Sequence, residues 1–177
     1  MKTIIFLVLV FGVQIMAQSK MENVPTTVQS VNLEKYIGTW YEIAKIPNRF
    51  QSDCAKNTTA TYSRNVDGTI KVVNRCIEED GEIDEAEGVA RIVDDITNAK
   101  LEVSFVSFLG WRPFWGDYWI IGLEANYQWV IVGHPERKYG WILSRTKSIS
   151  EETQKEIFSI LTEQGYNIND FKKSIQE

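Results

Sequence analysis

From residue 32 onward, short runs in which apolar and polar residues alternate recur about every 10–12 residues, each bounded by turn-forming residues. The runs are 39–46, 58–64, 69–77, 85–93, 100–108, 118–123, 129–133 and 139–146. A side-chain period of two is the mark of strands with one buried face. Asp67-Gly68 lies between the second and third runs, where a tight hairpin needs positive φ. Eight strands joined mainly by short turns predict an all-β fold, an eight-stranded antiparallel up-and-down β-barrel that closes on itself and so removes its own edges. The period then changes. Ser150 is a good helix N-cap, Glu151 and Glu152 favour the first turn, and Ile157, Ile160 and Leu161 share one face before Gly165. This predicts one amphipathic helix over about 150–165, packed on the outside of the barrel.

The beginning of the chain is different. Met1-Lys2 precedes an apolar run from Ile4 to Val13, shorter than a membrane span, and Ala17 offers a small residue at a cleavage point. Residues 1–17 read as a signal peptide and 18–31 as a flexible polar leader, leaving 32–177 as the barrel domain with its helix. The alternative is a retained anchor. No cysteine follows the apolar run to accept a lipid anchor.

Composition narrows the partners. The net charge is −5, and loss of Lys2 with residues 1–17 makes it −6. Phosphate backbones are bound by basic patches, so nucleic acid is excluded as the expected partner. Six Trp, seven Tyr and eight Phe are enough to line a pocket as well as a core. No cofactor and no metal are expected, since the chain has one His and two Cys and no metal-ligand spacing.

Three segments carry a family resemblance. Residues 32–43 contain Gly38-Thr39-Trp40 with acidic and aromatic flanks; 117–130 contain Glu124-Ala125-Asn126-Tyr127; and Trp141 to Thr146 includes Arg145. In this order and followed by one helix, they resemble the lipocalin family across residues 32–171. The likeness is to the branch of bacterial lipocalins and apolipoprotein D. Ala125 and Asn126 depart from the family's Thr-Asp-Tyr. The resemblance implies that Gly38, Trp40 and Arg145 are structural: Trp40 plugs the closed end and Arg145 lies over its indole. It implies a barrel that holds one small lipophilic ligand.

The family's strand phase assigns the inner face. It places Ala60 and Tyr62, Val72 and Asn74, Ala86, Gly88 and Ala90, and Leu101, Val103 and Phe105 inside. Later strands give Tyr118 and Ile120, Trp129 and Ile131, and Tyr139 and Trp141. The opposite parity is independently more polar on the second to fifth strands: Thr59, Thr61 and Ser63; Lys71, Val73 and Arg75; Glu85, Glu87, Val89 and Arg91; Glu102 and Ser104. The sixth and seventh strands are apolar on both parities, which suits cover by the helix. Small inner residues beside aromatics favour a cavity, against the alternative of a barrel filled by its own rings. An apolar lining with few polar groups suits a fatty acid or lysophospholipid, with tetrapyrrole or retinoid-like rings as the second ligand class. Arg145 is the interior cation expected.

The loop with Phe108, Leu109, Trp111, Arg112, Phe114 and Trp115 is unusually apolar. It reads as a membrane-touching rim, a lid, a dimer contact, or a loop folded back on the barrel; the protein is expected to be a monomer or weak homodimer. Cys54 in the first loop and Cys76 at the end of the third strand read as a disulfide in an exported chain, the alternative being free thiols. Asn57-Thr58-Thr59 is a glycosylation sequon. An enzyme is the competing class. His134 sits beside Pro135 at the rim, and Glu78-Glu79-Asp80 has no histidine near it. No Gly-x-Ser-x-Gly occurs either, so no catalytic residue is expected.

Overall fold

The computed structural model describes residues 24–177. The signal-peptide reading of 1–17 and the first part of the leader lie outside the described residues. Eight strands form the barrel: β1 (Gly38–Lys45), β2 (Cys54–Arg64), β3 (Ile70–Glu78), β4 (Ile83–Ile92), β5 (Lys100–Ser104), β6 (Gly116–Leu123), β7 (Trp129–Gly133) and β8 (Gly140–Ser144). Each pairs antiparallel with the next, and β1 closes the cylinder against both β8 and β2. A four-residue helix α1 (Leu33–Tyr36) precedes β1, and α2 (Glu151–Glu163) follows β8. Ser150 caps α2, its Oγ accepting from the Thr153 amide at 3.1 Å. The predicted fold class is therefore the observed one.

Register explains why the wall has two different faces. Ala60, Asn74 and Ala86 are partners across β2, β3 and β4, as are Tyr62, Val72 and Gly88. These rows point inward, whereas the rows between them carry ion pairs such as Lys71–Glu87 and Arg91–Glu102 in solvent. Two apolar clusters result. One fills the floor of the lumen around Trp40, Tyr36, Tyr62, Leu101, Ile120, Val130 and Val132. The other lies outside the sheet, where Ile157 and Leu161 of α2 pack on Ile121, Trp129, Ile131 and Ile142.

That second cluster corrects the inner-face assignment on β7. Trp129 and Ile131 face the helix, and Val130 and Val132 face the lumen. Both parities of Trp129-Val130-Ile131-Val132 are fully apolar, so hydrophobicity gives no phase there.

Two features were not anticipated. Residues 24–31, read as flexible leader, are tied to the barrel. The Val28 amide donates to Ile120 O at 2.9 Å, that of Val31 to Thr97 O at 2.7 Å, and Thr26 exchanges two hydrogen bonds with the Gln164 side chain. A short strand β9 (Lys172–Lys173) also pairs with the end of β1. There β2 is irregular, with register shifts between Cys54 and Thr59 and a positive φ at Asn57. The tail fills the resulting seam. Ser174 N–H donates to Ile43 O, Asn57 N–H to Ile175 O, and Gln176 Nε2 to the carbonyls of Glu42 and Thr58.

Candidate functional site

The closed end is held by one cation. The Arg145 guanidinium lies 3.7 Å from the Trp40 ring centroid and donates to five carbonyls: Lys35 and Thr39 at 2.8 Å, Ile37 at 3.0 Å, Tyr36 at 3.1 Å and, through Nε, Tyr127 at 3.4 Å. Partial burial pulls the Arg145 pKa below its ordinary value, ahead of any neighbouring charge. Gly38 has φ +99°, and a Cβ there would sit 3.3 Å from Arg145 Nη1, so the close approach of guanidinium to backbone requires glycine. These residues are spent on the floor's exterior.

Inside, three tyrosines form the floor. Tyr118 Oη lies 2.7 Å from Tyr36 Oη and 2.9 Å from Tyr62 Oη. Three hydroxyls supply three hydrogens, and the two contacts use two of them, so one O–H remains to donate elsewhere whichever way the chain runs. Burial pushes the Tyr62 phenol up to about 12 and those of Tyr36 and Tyr118 well above their usual range. The floor is thus neutral and hydrogen-bonding. The enclosed hollow above it, lined by Leu33, Val72, Ala90, Leu101, Val103 and Ile120 among others, measures about 10 Å³. That is the space of a single water. Higher in the barrel, inward-facing Ala60, Asn74, Ala86, Val103 and Trp141 are only half-buried. This upper lumen is therefore open to solvent through the mouth.

The mouth is built by four loops. Phe105 lies just past β5, and its ring stands where a Gly88 Cβ would be, at 2.7 Å. Tyr139 stacks on Trp141 at 6.1 Å and meets Phe50 at 5.7 Å. In the 105–115 loop, Phe108, Leu109, Trp111 and Phe114 are more than 65 % exposed. Arg112 and Trp115 instead fold back: Arg112 Nη1 donates to Ser104 O at 3.0 Å, and Arg91 covers the Trp115 ring at 4.1 Å. Cys54 and Cys76 form a disulfide with Cα atoms 5.6 Å apart; Cys54, expected in the first loop, is the first residue of β2, so the bond joins the start of β2 to β3.

Sequence reasoning missed a polar corner of this lumen. Glu42 pairs in register with Leu143, and Lys45 with Trp141, both of which face inward. A bulge between Glu42 and Ala44 brings the two charges to one face. Glu42 is 2 % exposed. Its Oε2 accepts from Gln51 Nε2 at 2.7 Å, and its Oε1 from Ser174 Oγ at 2.6 Å and Lys45 Nζ at 3.3 Å. Gln51 Oε1 in turn accepts from Trp141 Nε1 at 2.9 Å. Arg145 is therefore not the sole interior cation. A carboxylate three residues before a lysine on a core strand was the available signal; the bulge hid it.

The remaining chemistry-bearing groups do not assemble. The His134 Nδ1 accepts from the Glu136 amide at 3.1 Å, and partial burial lowers its pKa more than Asp117, at 3.9 Å, raises it. The Glu78 carboxyl is pushed up by desolvation and by the charges of Asp80, Asp84, Asp53 and Glu82. Among the described residues, the group with metal-ligand spacing is Cys54, Cys76 and Asp84, and both thiols are in the disulfide.

A closed eight-stranded barrel with one outer helix, an Arg-over-Trp floor and an apolar lumen defines a binding protein for small hydrophobic molecules. The chain belongs to the lipocalin family: the lipocalin-like domain profile matches residues 31–176. It is 42 % identical over 152 residues to temperature-induced lipocalin-1 of Arabidopsis thaliana, covering 84 % of this chain and 81 % of that one. It is 39 % identical over 147 residues to the outer membrane lipoprotein Blc of Escherichia coli K12, covering 82 % and 80 %. It is 33 % identical over 159 residues to apolipoprotein D of Macaca fascicularis, covering 86 % and 81 %. Among solved structures, insecticyanin of Manduca sexta superposes with a TM-score of 0.68 at 23 % identity, covering 85 % and 83 %; that likeness concerns the fold.

Proposed function

We propose that this lipocalin binds and carries a lipid with an acyl chain and one polar end, a fatty acid or lysophospholipid, and that it acts outside the cytoplasm in membrane maintenance. The observation that carries the reading is the pair of small, half-buried inner residues Ala60 on β2 and Ala86 on β4, joined in register through Asn74 on β3, with Trp141 half-buried on the same lumen; Ala90 instead lines the small hollow at the floor, and the Phe105 ring fills the space beside Gly88. Small side chains at Ala60 and Ala86 leave room in the upper lumen where a filled core would place Leu or Ile. The neutral tyrosine floor accepts a chain or an uncharged oxygen and disfavours a bare carboxylate, whose desolvation it does not offset. Binding, not catalysis, is supported by the paired cysteines and the isolated His134. The run before Ala17 supports export, which N-terminal sequencing of the mature protein tests.

The exposed Phe108, Leu109, Trp111 and Phe114 beside the mouth suit contact with a lipid surface, where a ligand would enter or leave. Co-sedimentation with vesicles tests this. A mass that rises with protein concentration would instead assign the loop to a dimer.

The ligand test is a titration with a lysophospholipid, a long-chain fatty acid and a bilin, read by tryptophan emission. Saturable one-to-one quenching by the lysolipid or fatty acid, lost in Ala60→Trp or Ala86→Trp, supports the reading. Saturation by the bilin alone favours a ring ligand, which the stacked Tyr139–Trp141 pair suits. No response to any of the three, with an intact circular dichroism spectrum, refutes a lipid carrier.

A further inference from the structure

We propose that Lys45 is the residue that receives the ligand's anionic oxygen, a carboxylate or a phosphate, by turning from Glu42 toward the upper lumen. The proposal rests on the lipid-carrier reading above and adds the group that recognises the polar end.

Lys45 shares its face of the wall with Trp141, above the apolar floor, and its side chain is 15 % exposed. An ammonium has three donor hydrogens. Glu42 is its one partner among the described residues, at 3.3 Å, the longest of the three contacts that carboxylate makes. The carboxylate does not depend on the lysine. When Lys45 turns away, Glu42 keeps its short bonds from Gln51 and Ser174, so no buried charge is stranded.

Three other arginines near the barrel wall are committed elsewhere, and Arg49 lies over the Phe50 ring at 5.1 Å in the first loop. Arg145 spends its donors on backbone carbonyls at the closed end, Arg112 is bonded to Ser104 O, and Arg91 is paired with Glu102 on the outer face. An acyl chain seated in the upper lumen would leave its anionic end toward the mouth, on the side where Trp141 and the free donors of Lys45 stand. Glu42 is then a competitor for the lysine, and weakening it should strengthen the ligand's hold.

The test uses the full chain and three probes that share an oleoyl or oleyl chain: oleic acid, a lysophosphatidic acid and uncharged oleyl alcohol, each titrated by tryptophan emission at neutral pH and low salt. Lys45→Met, which keeps the apolar stem, should weaken one or both anionic probes by about tenfold or more, while oleyl alcohol changes less than about twofold. Loss with oleic acid alone assigns a carboxylate, and loss with the lysolipid alone assigns a phosphate. Lys45→Arg should restore most of the affinity, and Glu42→Gln should tighten the same probes. Equal loss for all three probes, or no loss for either anion, overturns the role of Lys45 and leaves the carrier reading standing. Failure of the wild-type protein to bind any probe, the alcohol included, refutes both.

Discussion

The tyrosine floor should make the fold sensitive to alkali well before its surface does. Tyr62 is 6 % exposed, and burial raises its phenol from 10 to about 12, against the lowering effects of the Tyr118 hydrogen bond and the Arg145 charge. The folded protein therefore holds this proton more tightly than the unfolded chain does. Below about pH 10 both states are protonated and the contribution is fully present. As pH rises from about 10 to about 12, the unfolded chain releases the proton first and stability is lost. Two pKa units correspond to about 2.7 kcal/mol. Tyr36 and Tyr118 are raised in the same direction by the same burial, so they steepen the loss over the same window. The assay is the urea unfolding free energy, followed by circular dichroism from about pH 9 to about pH 12. The control is the triple variant Tyr36→Phe, Tyr62→Phe, Tyr118→Phe, which shares every exposed titrating group with the wild type. The wild type should lose at least about 2 kcal/mol more than the triple variant across the window. Parallel pH profiles would refute the burial argument.

Other tests follow from the same geometry. Arg145→Met removes five hydrogen bonds to carbonyls, the longest that to Tyr127 O, and the contact over Trp40. It should cost about 3 kcal/mol, about 6–12 °C in Tm by calorimetry, with ligand affinity per folded molecule unchanged. Gly88→Val drives a Cβ into the Phe105 ring and Ser104 O, so it should cost about 1–3 kcal/mol in urea unfolding and weaken fatty-acid binding at the mouth. Reduction of the Cys54–Cys76 bond opens a loop of sequence separation 22 and should lower unfolding free energy by about 3 kcal/mol. Ligand-induced quenching should vanish in Trp141→Phe and persist in Trp129→Phe, because Trp129 lies under the helix.

The sequence was most legible where the two faces of a strand differ in polarity. On β2 to β5 the outward residues are mostly Thr, Ser, Lys, Glu and Arg, with Val73 and Val89 as exceptions, so Ala60, Tyr62, Val72, Ala90 and Leu101 could be placed inside from alternation and the family's phase together. On β7 burial on both faces erases the signal, and the phase went wrong for Trp129 and Ile131. The polar corner was hidden for another reason. A bulge breaks the period of two between Glu42 and Ala44, so parity counted from Trp40 does not reach Lys45. The tyrosine trio was half visible: Tyr62 and Tyr118 were named as lining, whereas Tyr36 belongs to a four-residue helix whose place at the floor only the tertiary fold fixes. In β9, Lys172-Lys173 has no apolar alternation to read; its pairing arises from the irregularity of β2 opposite.

The seam filled by residues 172–177 sets the order in which this cylinder can be finished. Hairpins β2–β3 and β3–β4 join neighbours in sequence and can form early in synthesis. Closure beside Glu42 and Asn57 must wait for backbone that lies more than 110 residues later in the chain. Until it arrives, part of β1 and β2 presents unpaired amides and carbonyls, an edge that invites another strand. A chain threaded across a membrane from its N-terminus would thus emerge with its wall unsealed, and its last residues would act as the closing stave.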